Sequence, residues 1–136
     1  MSNPFTPAQL WSLADQFGTP LWVYDAATIR QRLAQVSNFD TVRFAQKACS
    51  NIHILQLMRD QGVKVDAVSR GEILRALAAG FKAGGEPSEI VFTADLFDAA
   101  TLDCVVEHGV PVNAGSIDML RQLGPRSKGH AVWLRI

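Results

Sequence analysis

From about residue 41 onward the chain alternates between two hydrophobic periods. Short runs rich in β-branched and aromatic residues, at 42–47, 63–68, 90–93, 110–113 and 131–136, read as strands. Between them apolar residues recur at helical spacing: Ile52, Leu55 and Met58; Ile73, Leu74 and Leu77; Leu102, Val105 and Val106; Ile117 and Leu120. Gly62, Gly80, Gly109 and Gly124 fall at the expected helix ends, where a residue at positive φ costs least if it is glycine. Strand and helix alternating in this way predict an α/β unit with a parallel sheet. Four βα units and a fifth strand amount to half of a (β/α)8 barrel. No helix follows 131–136 to cover it, so that strand would present an open edge, and the natural polypeptide is expected to continue past Ile136.

A different piece precedes this series. The pattern predicts a helix over 7–17, a turn at Gly18-Thr19-Pro20, a strand over 21–24 and a helix over 26–36. Residues 1–40 are therefore separated from the barrel half at 41–136. The stretch 81–89, with Gly84, Gly85 and Pro87, reads as a surface loop, and its two glycines are too isolated to be a phosphate loop.

Composition narrows the functional classes. With 48% hydrophobic and 19% charged residues the chain is an ordinary globular segment. Its 13 basic and 13 acidic side chains cancel, leaving no positive field to gather nucleic acid or anionic lipid. Residues 1–9 lack the basic and apolar regions of a signal peptide, and no apolar run has the length to cross a bilayer, so a cytoplasmic protein is expected. Cys49 and Cys104 fit neither a disulfide framework nor a zinc spacing and are expected to be reduced, packed thiols. His53, His108 and His130 have no metal-ligand spacing and read as surface or helix-end residues.

Three positions attract chemical attention. Lys47 closes the first strand, at the end where barrel active sites form, and period two would place Arg43, Ala45 and Lys47 on one face with Val42, Phe44 and Gln46 on the other. A lysine in such a mouth is a Schiff-base candidate; a lysine reaching into solvent is the simpler alternative. Asp66 lies inside the second strand, opposite in facing to Val63, Val65 and Ala67. If buried it needs a partner, and a salt bridge to Lys64 or Lys47 stands beside a role near a cofactor. Ser69-Arg70-Gly71-Glu72 has the form of a capping box, in which Glu72 reaches back to the cap.

The segments Phe44-Ala45-Gln46-Lys47-Ala48, Val65-Asp66-Ala67-Val68-Ser69-Arg70-Gly71-Glu72, Ala76-Leu77-Ala78-Ala79-Gly80 and Val91-Phe92-Thr93 resemble, in order and spacing, the N-terminal barrel half of the diaminopimelate decarboxylase family. Gly18-Thr19-Pro20-Leu21-Trp22-Val23-Tyr24-Asp25 is similar to the family's opening segment, and Trp133-Leu134-Arg135-Ile136 to one of its later strands. Cys49 departs from the asparagine that most of the wider family places after Lys-Ala. The resemblance implies a pyridoxal-phosphate barrel of the alanine-racemase type, joined in full-length members to a C-terminal β-domain absent here and usually forming a homodimer. It implies that Lys47 is the catalytic, cofactor-bearing lysine, that Asp66 and Arg135 lie near the cofactor, and that no metal is used. The implied reaction is decarboxylation of meso-diaminopimelate to L-lysine and CO2. The family's phosphate-binding and substrate-binding motifs would lie beyond residue 136, so the isolated segment is expected to be inactive. Two other readings remain at this point: a decarboxylase of ornithine, arginine or carboxynorspermidine on the same barrel, or a non-catalytic half-barrel that binds and regulates a partner.

Overall fold

A computed structural model describes residues 3–85 and 87–136, and the chain divides into two compact units, Met1–Asn38 and Phe39–Ile136. In the first, α1 (Pro7–Phe17) starts at Thr6, whose side chain accepts from the Gln9 N–H while the Gln9 side chain accepts from the Thr6 N–H. Two of the donors that a helix leaves orphaned at its start are thereby satisfied. Helix α2 (Ala26–Ala34) is capped by Asp25, whose carboxylate accepts from the Thr28 N–H at 2.6 Å. It ends two residues before the expected limit because the N–H groups of Gln35, Val36 and Ser37 bond three residues back, tightening the chain into a turn. The strand expected over 21–24 does not form. The segment joins no ladder, and Leu21, Trp22 and Tyr24 are exposed, so its apolar residues are not the signature of a sheet face here.

The second unit carries the sheet. Its strands β1 (Arg43–Ala45), β2 (Lys64–Ala67), β3 (Ile90–Phe92), β4 (Val112–Ala114) and β5 (Val132–Leu134) lie side by side in chain order, every pair parallel. They alternate with α3 (Ile52–Arg59), α4 (Arg70–Ala78), α5 (Ala99–His108) and α6 (Ile117–Leu123), the βα order that the periodicities predict. Strand residues with the same facing, among them Val65, Ala67, Ile90, Phe92 and Val112, merge with Leu55, Ile73, Val105 and Met119 of the helices into one core. Each of these side chains larger than alanine contributes about 1.5–3 kcal/mol on full burial. Among the described residues no helix is long and apolar enough to cross a membrane.

Several details depart from the expectation. The α6 stripe is Met119 and Leu123, with Ile117 67% exposed. Ser116 caps the helix, and Ile117, two residues before Met119, falls on nearly the opposite side, at about 100° of turn per residue. Leu74 is also partly outside, 39% exposed, its helix facing inward through Ile73 and Ala76. Gly109 caps α5 in the left-handed conformation (φ 61°, ψ 33°), whereas Gly124 remains right-handed (φ −57°) and leads into a further turn. The Ser69 hydroxyl does accept from the Glu72 N–H, but the Glu72 carboxylate reaches one residue further back than a capping box would, to the Val68 N–H at 2.8 Å. The 81–89 stretch is not purely superficial: Phe81 and Ser88 are buried, and Lys82 and Glu89 close its base through two hydrogen bonds. Glu86 of that loop lies outside the described residues. His130 is half-buried, bonded to the Val110 carbonyl at 2.7 Å and to Ser127, rather than a free surface residue. Cys104 is buried, its thiol pushed up by desolvation, and Cys49 is half-buried.

The sheet is curled. On the side away from the helices, the concave side of a barrel half, side chains of the first and last strands meet: the Arg43 guanidinium carbon lies 5.6 Å from the centroid of the Trp133 ring. Arg43 also donates to the backbone carbonyls of Ser88 (2.9 Å), Val65 and Glu89 (3.4 Å each). Burial pulls its guanidinium below the usual value, opposed by the negative charge of Asp66.

Two predictions follow from these contacts. Arg43→Met keeps the aliphatic stem but leaves three carbonyls without their donor and Trp133 without its cation; equilibrium urea unfolding should show a loss of about 1–3 kcal/mol. The Asp98 carboxylate caps α5 by accepting from the Thr101 N–H at 2.6 Å, and that backbone hydrogen bond holds it below the usual carboxylate range. A group depressed in the folded state stabilises above its unfolded pKa and ceases to do so as pH falls through the folded one. Asp98→Ala should therefore lower the melting temperature at neutral pH, and the gap to wild type should narrow on acidification below the ordinary carboxylate range.

Candidate active site

The concave face and the carboxyl ends of its strands gather the chemistry-bearing residues. The β1–β2 register places Arg43 beside Lys64 and Ala45 beside Asp66, and the β2–β3 register places Asp66 beside Val91. With alternate facing along each strand, these residues share the side away from the helical core. Asn113 and Trp133 are paired on the same side of β4 and β5.

Lys47 does not extend the strand, as period two over 42–47 had suggested. The ladder stops at Ala45, and Gln46–Ala48 form one turn of 3₁₀ helix. Lys47 thus sits on a turn immediately beyond the carboxyl end of β1, exposed, with no ion pair among the described residues. The turn removes Lys47 from the strand alternation, so its direction is set by the turn and not by Arg43 and Ala45. The preceding Gln46 is 1% exposed, and neither polar atom of its amide has a hydrogen-bond partner among the described residues.

Asp66 is half-buried in the middle of β2, and neither Lys64 nor Lys47 forms the salt bridge that its position invited. Its Oδ1 instead accepts a hydrogen bond from the Thr93 hydroxyl. Thr93 stands one residue beyond β3, held in the ladder by its N–H bond to the Ala67 carbonyl at 3.0 Å. Arg135 follows β5 and is tied to β4 by its N–H bond to the Ala114 carbonyl at 3.0 Å. Its guanidinium is paired with Asp95 and lies where a Cβ on Gly115 would stand, so the absence of a side chain at 115 makes room for it.

The structure thus places all three sequence-derived candidates at or near the carboxyl ends of strands: Lys47 after β1, Asp66 within β2, Arg135 after β5. It adds two residues that sequence reasoning left without a role. Thr93 had a usable signal, since it follows Val91 by two and so shares its facing; Asp95, on a loop, had none.

Residues 26–136 match the family described as pyridoxal-dependent decarboxylase, pyridoxal binding domain. The chain is similar to the diaminopimelate decarboxylase of Escherichia coli (strain K12), 63% identical over 131 residues, which cover 96% of this chain and 31% of that protein. It is 60% identical over 128 residues to the diaminopimelate decarboxylase of Streptomyces coelicolor, covering 94% of this chain and 29% of that one. A crystal structure of a diaminopimelate decarboxylase superposes with a TM-score of 0.90 at 62% identity, over 94% of this chain and 30% of the other. The chain spans less than a third of the length of these relatives. With the parallel sheet, the lysine behind its first strand and a family match over residues 26–136, the chain belongs to the pyridoxal-dependent decarboxylases and carries their pyridoxal binding domain's N-terminal βα units.

Proposed function

We propose that this chain is part of a longer decarboxylase that converts meso-diaminopimelate to L-lysine and CO2, with pyridoxal phosphate carried on Lys47. The observation that carries the reading is the placement of Lys47: an exposed primary amine on a one-turn helix directly behind β1, at the end of the sheet where barrel enzymes assemble their sites. The residues present suit such a cofactor. Lys47 supplies an amine able to condense with its aldehyde, Asp66 has a carboxylate oxygen not engaged by Thr93, and Arg135 offers a cation in the space that Gly115 leaves open.

Pyridoxal phosphate, when bound, supplies an electron sink for the pair left behind as CO2 departs. The chain's own residues hold and orient. Lys47 presents its amine from an exposed position on the turn behind β1. Asp66 presents a negative charge from the concave face, fixed by a neutral donor. Arg135 is held at the opposite end of the curled sheet by Asp95 and by the β4–β5 ladder. The choice of diaminopimelate over ornithine, arginine or carboxynorspermidine rests on the names of relatives at 63% and 60% identity. The same reading makes the full-length protein a cytoplasmic homodimer.

The test is CO2 release from meso-diaminopimelate by the full-length protein loaded with pyridoxal phosphate. Wild type should release CO2 and lysine, Lys47→Ala should fall to background, and residues 1–136 alone should give none, because the positions that orient substrate are incomplete. Borohydride reduction followed by peptide mapping should mark Lys47. Decarboxylation that survives in Lys47→Ala, or labelling scattered over exposed lysines, would sink the reading; turnover of ornithine in preference to diaminopimelate would replace the substrate.

A further inference from the structure

The hydroxyl of Thr93 and the carboxylate of Asp66 meet across two paired strands, and the way they meet separates two tasks that one carboxylate has to perform. Asp66 lies opposite Val91, and Thr93, two residues further along, shares that facing. The Thr93 N–H bond to the Ala67 carbonyl keeps the residue in register beyond the end of β3. An ionised carboxylate only accepts hydrogen bonds, so Thr93 Oγ1 is the donor and Asp66 Oδ1 the acceptor.

No cation forms a contact ion pair with Asp66 among the described residues, although the Arg43 guanidinium is close enough to feel its charge. Arg43 spends its donors on the carbonyls of Val65, Ser88 and Glu89 and stacks on Trp133. Lys47 and Lys64 form no ion pair with Asp66. Asp66 is thus oriented by a neutral hydroxyl, which holds one oxygen in place without forming a contact ion pair. Its Oδ2 has no hydrogen-bond partner among the described residues.

Building on the reading of Lys47 above, we propose that Thr93 is a positioning residue: it fixes the rotamer of Asp66 so that Oδ2 remains available to an N–H or cationic group of the bound cofactor or substrate. Had a lysine or arginine performed the same task, the charge would have been neutralised in place. Serine would preserve the device, since the hydroxyl is what matters. Valine would abolish it while retaining the shape and the β-branching that suit the strand.

The experiment is a double-mutant cycle in the full-length protein, read as the dissociation constant of pyridoxal phosphate from absorbance titration. Thr93→Val should weaken cofactor binding about tenfold, the order expected for a lost hydrogen bond to a charged group. Thr93→Ser should stay close to wild type. In an Asp66→Asn background, Thr93→Val should add no further loss, because its effect passes through the carboxylate. A second readout is the pH dependence of the bound cofactor's absorbance, which should shift in Thr93→Val and in Asp66→Asn alike. If Thr93→Val does not fold, Thr93→Ala enters the same cycle. Unchanged affinity in the valine variant overturns the proposal, as does an equal loss on top of Asp66→Asn. A protein that takes up no pyridoxal phosphate even as wild type overturns the reading of Lys47 instead, so the two failures are distinguishable.

Discussion

Side chains along a strand point alternately to its two faces, and in a parallel sheet one of those faces must be covered by the helices that connect the strands. The rest of the 39–136 unit follows from this constraint. Phe44, Val65, Ile90, Phe92 and Val112 are committed to the helical side, where they pack with Leu55, Ile73, Val105 and Met119. Their neighbours in sequence have no choice but the concave side. The residues that hold the fold together and the residues that carry chemistry are therefore interleaved one by one along the strands, yet separated in space by the thickness of the sheet. A slip of a single residue in register would send Asp66 into the core and Val65 out of it.

The two sides obey different energetics. On the helical side, burial of apolar surface drives the assembly and the shapes need only fit. On the concave side, polar groups must each find a partner, since an unpaired buried one costs about 1–3 kcal/mol. Arg43 meets this requirement through three backbone carbonyls and the face of Trp133, and Asp66 through the Thr93 hydroxyl. Among the described residues neither forms a contact ion pair, though the two opposite charges lie close enough on that face to act on each other. The Arg43–Trp133 contact also links the first strand to the last, coupling the curl of the sheet to the polar lining.

What was legible in the sequence is what these periodicities encode. The bounds of α1, the order of five strands and the apolar stripes of α3 and α5 could be read because each repeats a period over enough residues to stand out. The failures share a cause: features decided by one or two local hydrogen bonds or by what lies nearby. Leu21–Tyr24 has strand-forming residues but joins no ladder, and nothing within four residues can announce that. Ile117 belongs to a helical pattern, but the cap at Ser116 sets the phase that leaves it outside. Sequence proximity points to a lysine as the partner of Asp66, whereas its partner is a neutral residue 27 positions away that the β2–β3 register brings alongside.

The turn at Gln46–Ala48 is the place where local rules break most clearly. Alternation would have continued β1 through Lys47, and a residue facing the helices at 46 would ordinarily be apolar. Instead the strand ends early, and a glutamine is buried with neither end of its amide paired among the described residues. By the cost of an unsatisfied buried polar group this is an unfavourable arrangement, which the surrounding core must offset. Breaks in consistency between local preference and global fold concentrate at functional positions. Here the break is immediately next to Lys47, the residue proposed above to carry the cofactor. A strand continued through 47 would place the lysine by the geometry of the sheet; a single 3₁₀ turn places it by its own backbone, free of the alternation that binds Arg43 and Ala45 to the concave face.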